Sequence, residues 1–250
     1  MVMKDISAID ELERTIRSDP TVLPEVTHRL YEQLADSDPS SRMDAGRSLR
    51  AAAEHDPELA KPHLDTLVDL LESENGSLQL SGAIGLAEVA SVAPGEVAEA
   101  VPSLLDTFED TVAPTIEEAV VRALTRIGLD NPTVVTAADE ILAARLETAT
   151  FPVQTAIVKL FVGVVREAPA QYPEIIQAYK LFLVAETDIR ARFAADALAR
   201  VARADASVIS DIDRIRSQVE KLEAQFDADP RHGVGDDVKE AARTFRHLTG

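Results

Sequence analysis

The chain has 250 residues, 46% of them hydrophobic, enough to bury a sizeable core as one globule or as a stack of small units. It contains no cysteine, which excludes disulfides, thiolate metal sites and a cysteine nucleophile. Its 44 acidic residues against 25 basic ones give a formal net charge of -19, a field that repels phosphate backbones and anionic lipid unless basic residues gather locally.

The opening stretch MVMKDISAIDELERTI turns acidic at its fifth residue, and no segment reaches 18 uninterrupted apolar residues. A soluble, unexported, cytoplasmic protein is expected. From Leu12 onward the chain repeats, with equivalent leucines at Leu49, Leu86, Leu124, Leu160 and Leu198, a period of about 37 residues. Eight residues beyond the anchor stand Pro20, Pro57, Pro94 and Pro132; Pro169 is displaced by one, and Ala206 replaces the last. Each proline ends one helix and can open the next.

Other columns share this register. Four residues before the anchor come Ala8, Ala45, Gly82, Val120, Ala156 and Ala194, mostly small, as close helix packing requires. Eighteen after it come Leu30, Leu67, Leu104 and Leu142; twenty-two after it come Leu34, Leu71, Phe108, Leu146 and Phe182. The two columns lie one helical turn apart on one face. Six units of helix, turn and helix therefore span residues 1–226.

Beyond the repeats, Val208, Ile212, Ile215, Val219, Leu222 and Phe226 alternate spacings of four and three, the seam of a helix packed along its length. DADPRHGVG (227–235) reads as a reversing loop, and Val238, Ala241, Phe245 and Leu248 mark a last helix that folds back on the seam. The competing use of the seam is coiled-coil dimerisation.

Segments such as SRMDAGRSLRAAAEHDPELAKPHLDTLVDLLES (41–73) and LQLSGAIGLAEVASVAPGEVAEAVPSLLDTFED (78–110) resemble HEAT repeats, particularly the short HEAT-like type found in phycobilin lyases. The resemblance rests on an alanine-rich first helix, a turn with Asp19, Asp56 or Asn131 before proline, and a leucine-rich second helix. Asp205 lacks its proline, and the stretch 151–165 is more evenly apolar than a usual first helix. The resemblance implies an all-α fold, an α-solenoid of about six HEAT-like repeats (1–226) followed by a loop and C-terminal capping helix (227–250). The acid-rich, lysine-poor, alanine-rich composition is also similar to that of proteins from salt-loving archaea, where high salt screens self-repulsion.

Function in such a stack lies on its surfaces. By family resemblance the second helices line a concave face, and their polar positions are acidic: Glu32, Asp69 and Asp106 form one column, Glu72, Glu109 and Glu147 another. These are the candidate partner-binding residues, a negative strip suited to a basic protein segment. The simpler reading is that they hydrate a salt-adapted surface. Asp65, Asp69 and Glu72 share a helix face but converge too little for a specific metal site. Arg14, Arg126 and Arg200, with Arg190, Arg192 and Arg203, could grip an acidic ligand; pairing with acids of adjoining repeats accounts for them as well.

No catalytic constellation emerges. His28, His55, His63, His232 and His247 have no ligand spacing, and P-loop, GxGxxG and GxSxG motifs are missing from the sequence. The His-Glu dipeptides of the HEAT-like deoxyhypusine hydroxylases do not occur. Nucleic acid is disfavoured by the acids and by the absence of tryptophan. Repeat similarity alone transfers no bilin-lyase residue. The expectation is a noncatalytic interaction scaffold or adaptor without cofactor, monomeric or weakly dimeric. The alternative is a self-associating structural protein using the C-terminal seam.

Overall fold

The computed structural model describes residues 6–185, 189–228 and 236–249, and no strand occurs among them. The chain forms two compact units, Met1–Asp130 and Asn131–Gly250.

The first unit runs through α1 (Ile6–Ser18), α2 (Leu23–Leu34), α3 (Pro39–His55), α4 (Pro57–Ala60), α5 (Leu64–Leu71), α6 (Gly76–Val89), α7 (Pro94–Val97), α8 (Val101–Asp110) and α9 (Pro114–Asp130). Helices α1, α3, α6 and α9 stand in one row, each packed on the next. Helices α2, α5 and α8 form a second row, each packed on the first-row helix that follows it. Leu12, Leu49, Leu86 and Leu124 are buried at matching points of the first row, and Leu30, Leu67 and Leu104 in the second. Neither row could bury its apolar stripe alone, so each repeat completes its neighbour's core.

Small residues set the spacing. A Cβ on Gly82 would lie 2.5 Å from the Leu71 nitrogen and 2.6 Å from the Leu67 carbonyl oxygen, so α6 touches the backbone of α5. The turns have a common device too. Asp19, Asp56, Asn131 and Asp205 all adopt extended backbone, and their side chains accept the N–H of Thr21, Glu58, Thr133 and Ser207 respectively. Asp205 does this without a proline, so the capping oxygen is what these four turns share. Ala93 and Ala168 have no such oxygen and rely on Pro94 and Pro169.

The second unit begins with a 3-10 turn (Pro132–Val135) and continues through α10 (Ala138–Thr148), α11 (Phe151–Ala156), a π-helical turn (Ile157–Phe161), α12 (Val162–Glu167), α13 (Pro173–Ala185), α14 (Ile189–Ala204), α15 (Ile212–Ala228) and α16 (Asp236–Thr249). The two-row pattern persists: the π turn and α12 pack on α14, and α10, α13 and α15 follow one another alongside.

The π turn corrects the fifth anchor. Leu160 is 42% exposed, whereas Phe161 is fully buried. A π turn holds one residue more than an α turn, so the extra residue is absorbed there. With Phe161 as anchor, Pro169 falls eight residues on, as in the other units. Tyr179 joins the buried column of Leu30, and Leu183 replaces Phe182 in the column of Leu71. Ala156 stays buried across the wider turn.

The C-terminal helix is placed more richly than the seam implies. It packs on α15, with Ile215, Val219 and Leu222 facing Val238, Ala241 and Phe245 in a buried layer, but it packs on α14 as well. It therefore extends the row of α12 and α14, as the first helix of a further, unfinished repeat would. Arg192 meets Asp237 at 2.7 Å, Arg203 reaches Glu240, and Arg246 spans Glu220 and Glu223. Val208 belongs to a separate 3-10 turn (Ala206–Val208) rather than to α15, and Leu248 is 41% exposed. Asp211, with φ of 60°, redirects the chain into α15. The Phe226 side chain and residues 229–235 of the reversing loop lie outside the described residues.

Candidate functional site

The acidic columns fall on the second-row helices because those positions point away from the buried stripe of Leu30, Leu67 and Leu104. Glu32 on α2, Asp69 on α5 and Asp106 on α8 are all exposed. Glu72 follows α5 directly and accepts a 2.7 Å hydrogen bond from Ser103 of α8, which ties two consecutive repeats. Glu109 is exposed near the end of α8, and Glu147 is exposed on α10 of the second unit. Glu32 pairs with His28 one turn earlier, at 3.2 Å. Asp69 and Asp106 have no ion-pair partner among the described residues.

The expected concave placement depends on which row is the tighter. In Met1–Asp130 the first-row helices press on one another along their lengths, while α5 and α8 touch more sparingly. The acids thus stand in the more open row of this unit. Between α5 and α7 that openness becomes a cleft of about 510 Å³, floored by Leu64, Val68 and Val97 and rimmed by Asp65, Asp69, Glu96 and Glu99. Glu96 pairs with Lys61 at 2.6 Å. Helical spacing gives no signal for Glu96 and Glu99, which precede α8.

Several first-row arginines pair with acids of the same or a neighbouring helix. Arg47 of α3 reaches Glu13 of α1 at 3.0 Å; Arg126 of α9 reaches Glu88 of α6 at 3.0 Å and also donates to the Ala87 carbonyl. Arg200 pairs with Asp196 at 2.9 Å. Arg166, Arg200 and Arg203 do line one cleft of the second unit, but Glu167, Asp196 and Glu240 line it with them. The cleft is charge-balanced.

Two buried polar groups hold helices rather than ligands. Asp139 on α10 accepts the N–H of Glu174 (3.0 Å) and Ile175 (2.8 Å), capping α13 from its neighbour, while burial pushes its carboxyl above the usual carboxylate range. His63, in the turn before α5, is buried with its Nδ1 2.6 Å from the Tyr31 hydroxyl of α2. Burial holds its imidazole below the ordinary value. The folded chain therefore favours neutral His63, and the stability it lends is present above the ordinary imidazole range near 6.5 and lost as pH falls through it. Urea midpoints are expected to drop more between about pH 8 and about pH 5 in the wild type than in His63→Gln. Equal drops would show that another group carries the acid response.

Among the described residues, no group of three or more His, Cys, Asp and Glu is placed to hold a metal ion. No described helix is long and apolar enough to cross a membrane.

The sequence matches no protein-family model and no curated protein. The fold does match solved structures. An engineered protein superposes with a TM-score of 0.71 at 21% identity, over 88% of this chain and 98% of that one. A designed armadillo repeat protein in complex with the peptide (KR)4 gives 0.63 at 18% identity, over 89% and 98%. An archaeal HEAT-like repeats protein from Thermococcus onnurineus NA1 gives 0.61 at 13% identity, over 97% and 94%. At these identities the likeness is one of architecture: an all-α, HEAT-like and armadillo-like repeat solenoid.

Proposed function

We propose that the chain is a noncatalytic interaction scaffold that takes a protein partner through a basic segment, laid along the acid-bearing second-row helices. The observation that carries this reading is the pair Asp69 and Asp106: exposed carboxylates on consecutive second-row helices, without an ion-pair partner among the described residues, the first of them on the rim of an apolar-floored cleft. A lysine or arginine side chain suits such a place, its stem on the apolar floor and its head among carboxylates. The designed armadillo protein bound to (KR)4 supports the reading by showing that a similar architecture accommodates a basic peptide.

Reversing both charges, Asp69→Lys with Asp106→Lys, is expected to weaken binding of a (Lys-Arg)4 peptide about tenfold at high salt. The matched control, Glu174→Lys with Asp213→Lys, changes net charge equally on α13 and α15 and is expected to leave affinity near the wild-type value. An equal loss in both doubles would assign the attraction to net charge and reject the face. Self-association through the α15 seam is less well supported, since Ile215, Val219 and Leu222 are already covered within the chain.

A further inference from the structure

Lys61 stands where the repeat asks for no lysine. With Phe161 as the fifth anchor, the equivalent positions of the other units hold Pro24, Ala98, Thr136, Pro173 and Ser210. Those equivalent to its partner Glu96 hold Val22, Leu59, Val134, Gln171 and Val208. The other turns therefore form without either charge, and the Lys61–Glu96 pair, at 2.6 Å, is particular to this one junction of repeats.

The same junction holds the cleft. Glu96 lines it together with Asp65, Asp69 and Glu99, and no basic side chain is among its lining residues. Lys61 reaches Glu96 from the 3-10 turn (Lys61–His63) that precedes α5. The backbone there is held by Pro57 and Pro62, so the lysine is fixed at its root while its long stem leaves the head free to swing. The Lys61 and Glu96 side chains are 35% and 53% exposed, open to exchange with a cation arriving from outside. The hydrogen bond to Glu96 holds the Lys61 ammonium above the ordinary lysine range, so the head stays charged. A lysine head seated on a rim carboxylate is the contact that a basic segment of a partner would make at this place.

We propose, resting on the basic-segment reading of this face, that Lys61 is an internal competitor for the cleft: its ammonium occupies Glu96 in the free chain, and a lysine or arginine of the partner displaces it on binding. The pair then sets a threshold. The fraction of chains with Glu96 released is the fraction ready to bind, and the apparent affinity is lowered in proportion. Neutralising the Lys61 amine removes the competitor and opens the full set of rim carboxylates to the partner.

The probe is the (Lys-Arg)4 peptide, titrated into the full chain and its variants at one salt concentration. Lys61→Gln is expected to tighten binding about threefold, the scale on which an exposed ion pair competes. Lys61→Arg keeps the competitor and is expected to bind as the wild type does. Lys221→Gln removes an equal charge from α15 and is also expected to bind as the wild type does. In a Glu96→Gln background, Lys61→Gln is expected to bring no further gain, since the two residues act through one contact. A bridge that only ties repeats together predicts loss or no change instead. Three results overturn the proposal: unchanged or weaker binding in Lys61→Gln, an equal gain in Lys221→Gln, or a gain that persists without Glu96. Failure of the face itself reads differently. A wild type that binds no peptide, or full retention by Asp69→Lys with Asp106→Lys, removes both claims, whereas loss on that reversal without a gain in Lys61→Gln removes the competitor alone.

Discussion

Replacing Phe161 with alanine is expected to cost about 3 to 5 kcal/mol of stability, whereas Leu160→Ala changes it by no more than about 0.5 kcal/mol. Denaturant titration of the two variants checks this directly. The contrast follows from the π turn. Phe161 is fully buried where leucine sits in the other repeats, while Leu160 projects from the widened turn at 42% exposure. Emptying the first site leaves a cavity the size of a ring, bordered by Tyr172, whose ring meets that of Phe161 edge-on at 5.7 Å. Trimming the second removes carbon that is already nearly half exposed. If Leu160→Ala proved the more damaging, the corrected register, and the placement of Tyr179 and Leu183 that depends on it, would fall together.

Gly82→Ala is the second large effect, about 2 kcal/mol of destabilisation, although alanine is the better helix former. An added methyl would meet the Leu71 nitrogen at 2.5 Å and the Leu67 carbonyl oxygen at 2.6 Å, and backbone atoms of a packed helix cannot step aside. Gly85 makes the informative comparison. There the new methyl would meet Leu67 Cδ2 at 2.4 Å, a side-chain tip that can rotate. Gly85→Ala is therefore expected to cost less, and thermal melts of the two variants rank them. Equal melting temperatures would mean that α5 and α6 separate readily and that the spacing is not fixed at Gly82.

Most of the architecture was legible because a repeat states its rule several times. Leu49, Leu86 and Leu124 occur in one register with their turns, and each is fully buried. In the fifth unit the leucine register is off by one residue because Leu160 stands where a leucine is expected; the displaced Pro169 is the visible sign that the helix widens. Heptad-like spacing points the last helix to α15 alone, because it reports a seam without saying how many helices share it. Contact with α14 follows from the two-row packing, which no local pattern encodes. The exposure of Glu32, Asp69, Asp106, Glu72, Glu109 and Glu147 was legible from helical phase. The cleft beside Asp69 was not, since Glu96 and Glu99 come from the turn of the next repeat. Phe182 counts as core in the uncorrected register for the same reason as the fifth anchor, and Leu183 takes that place in the structure.

The sorting of charge between the two rows of Met1–Asp130 has an electrical consequence. Arginines of the first row are offset by Glu13 and Glu88, while Asp65, Asp69, Glu99 and Asp106 of the second are not offset to the same degree. The unit thus carries a transverse dipole, negative on one flank and near neutral on the other. A cationic molecule diffusing past feels a torque as well as a pull, and meets the negative flank first. Its rate of capture then falls with added salt more steeply than its rate of escape rises.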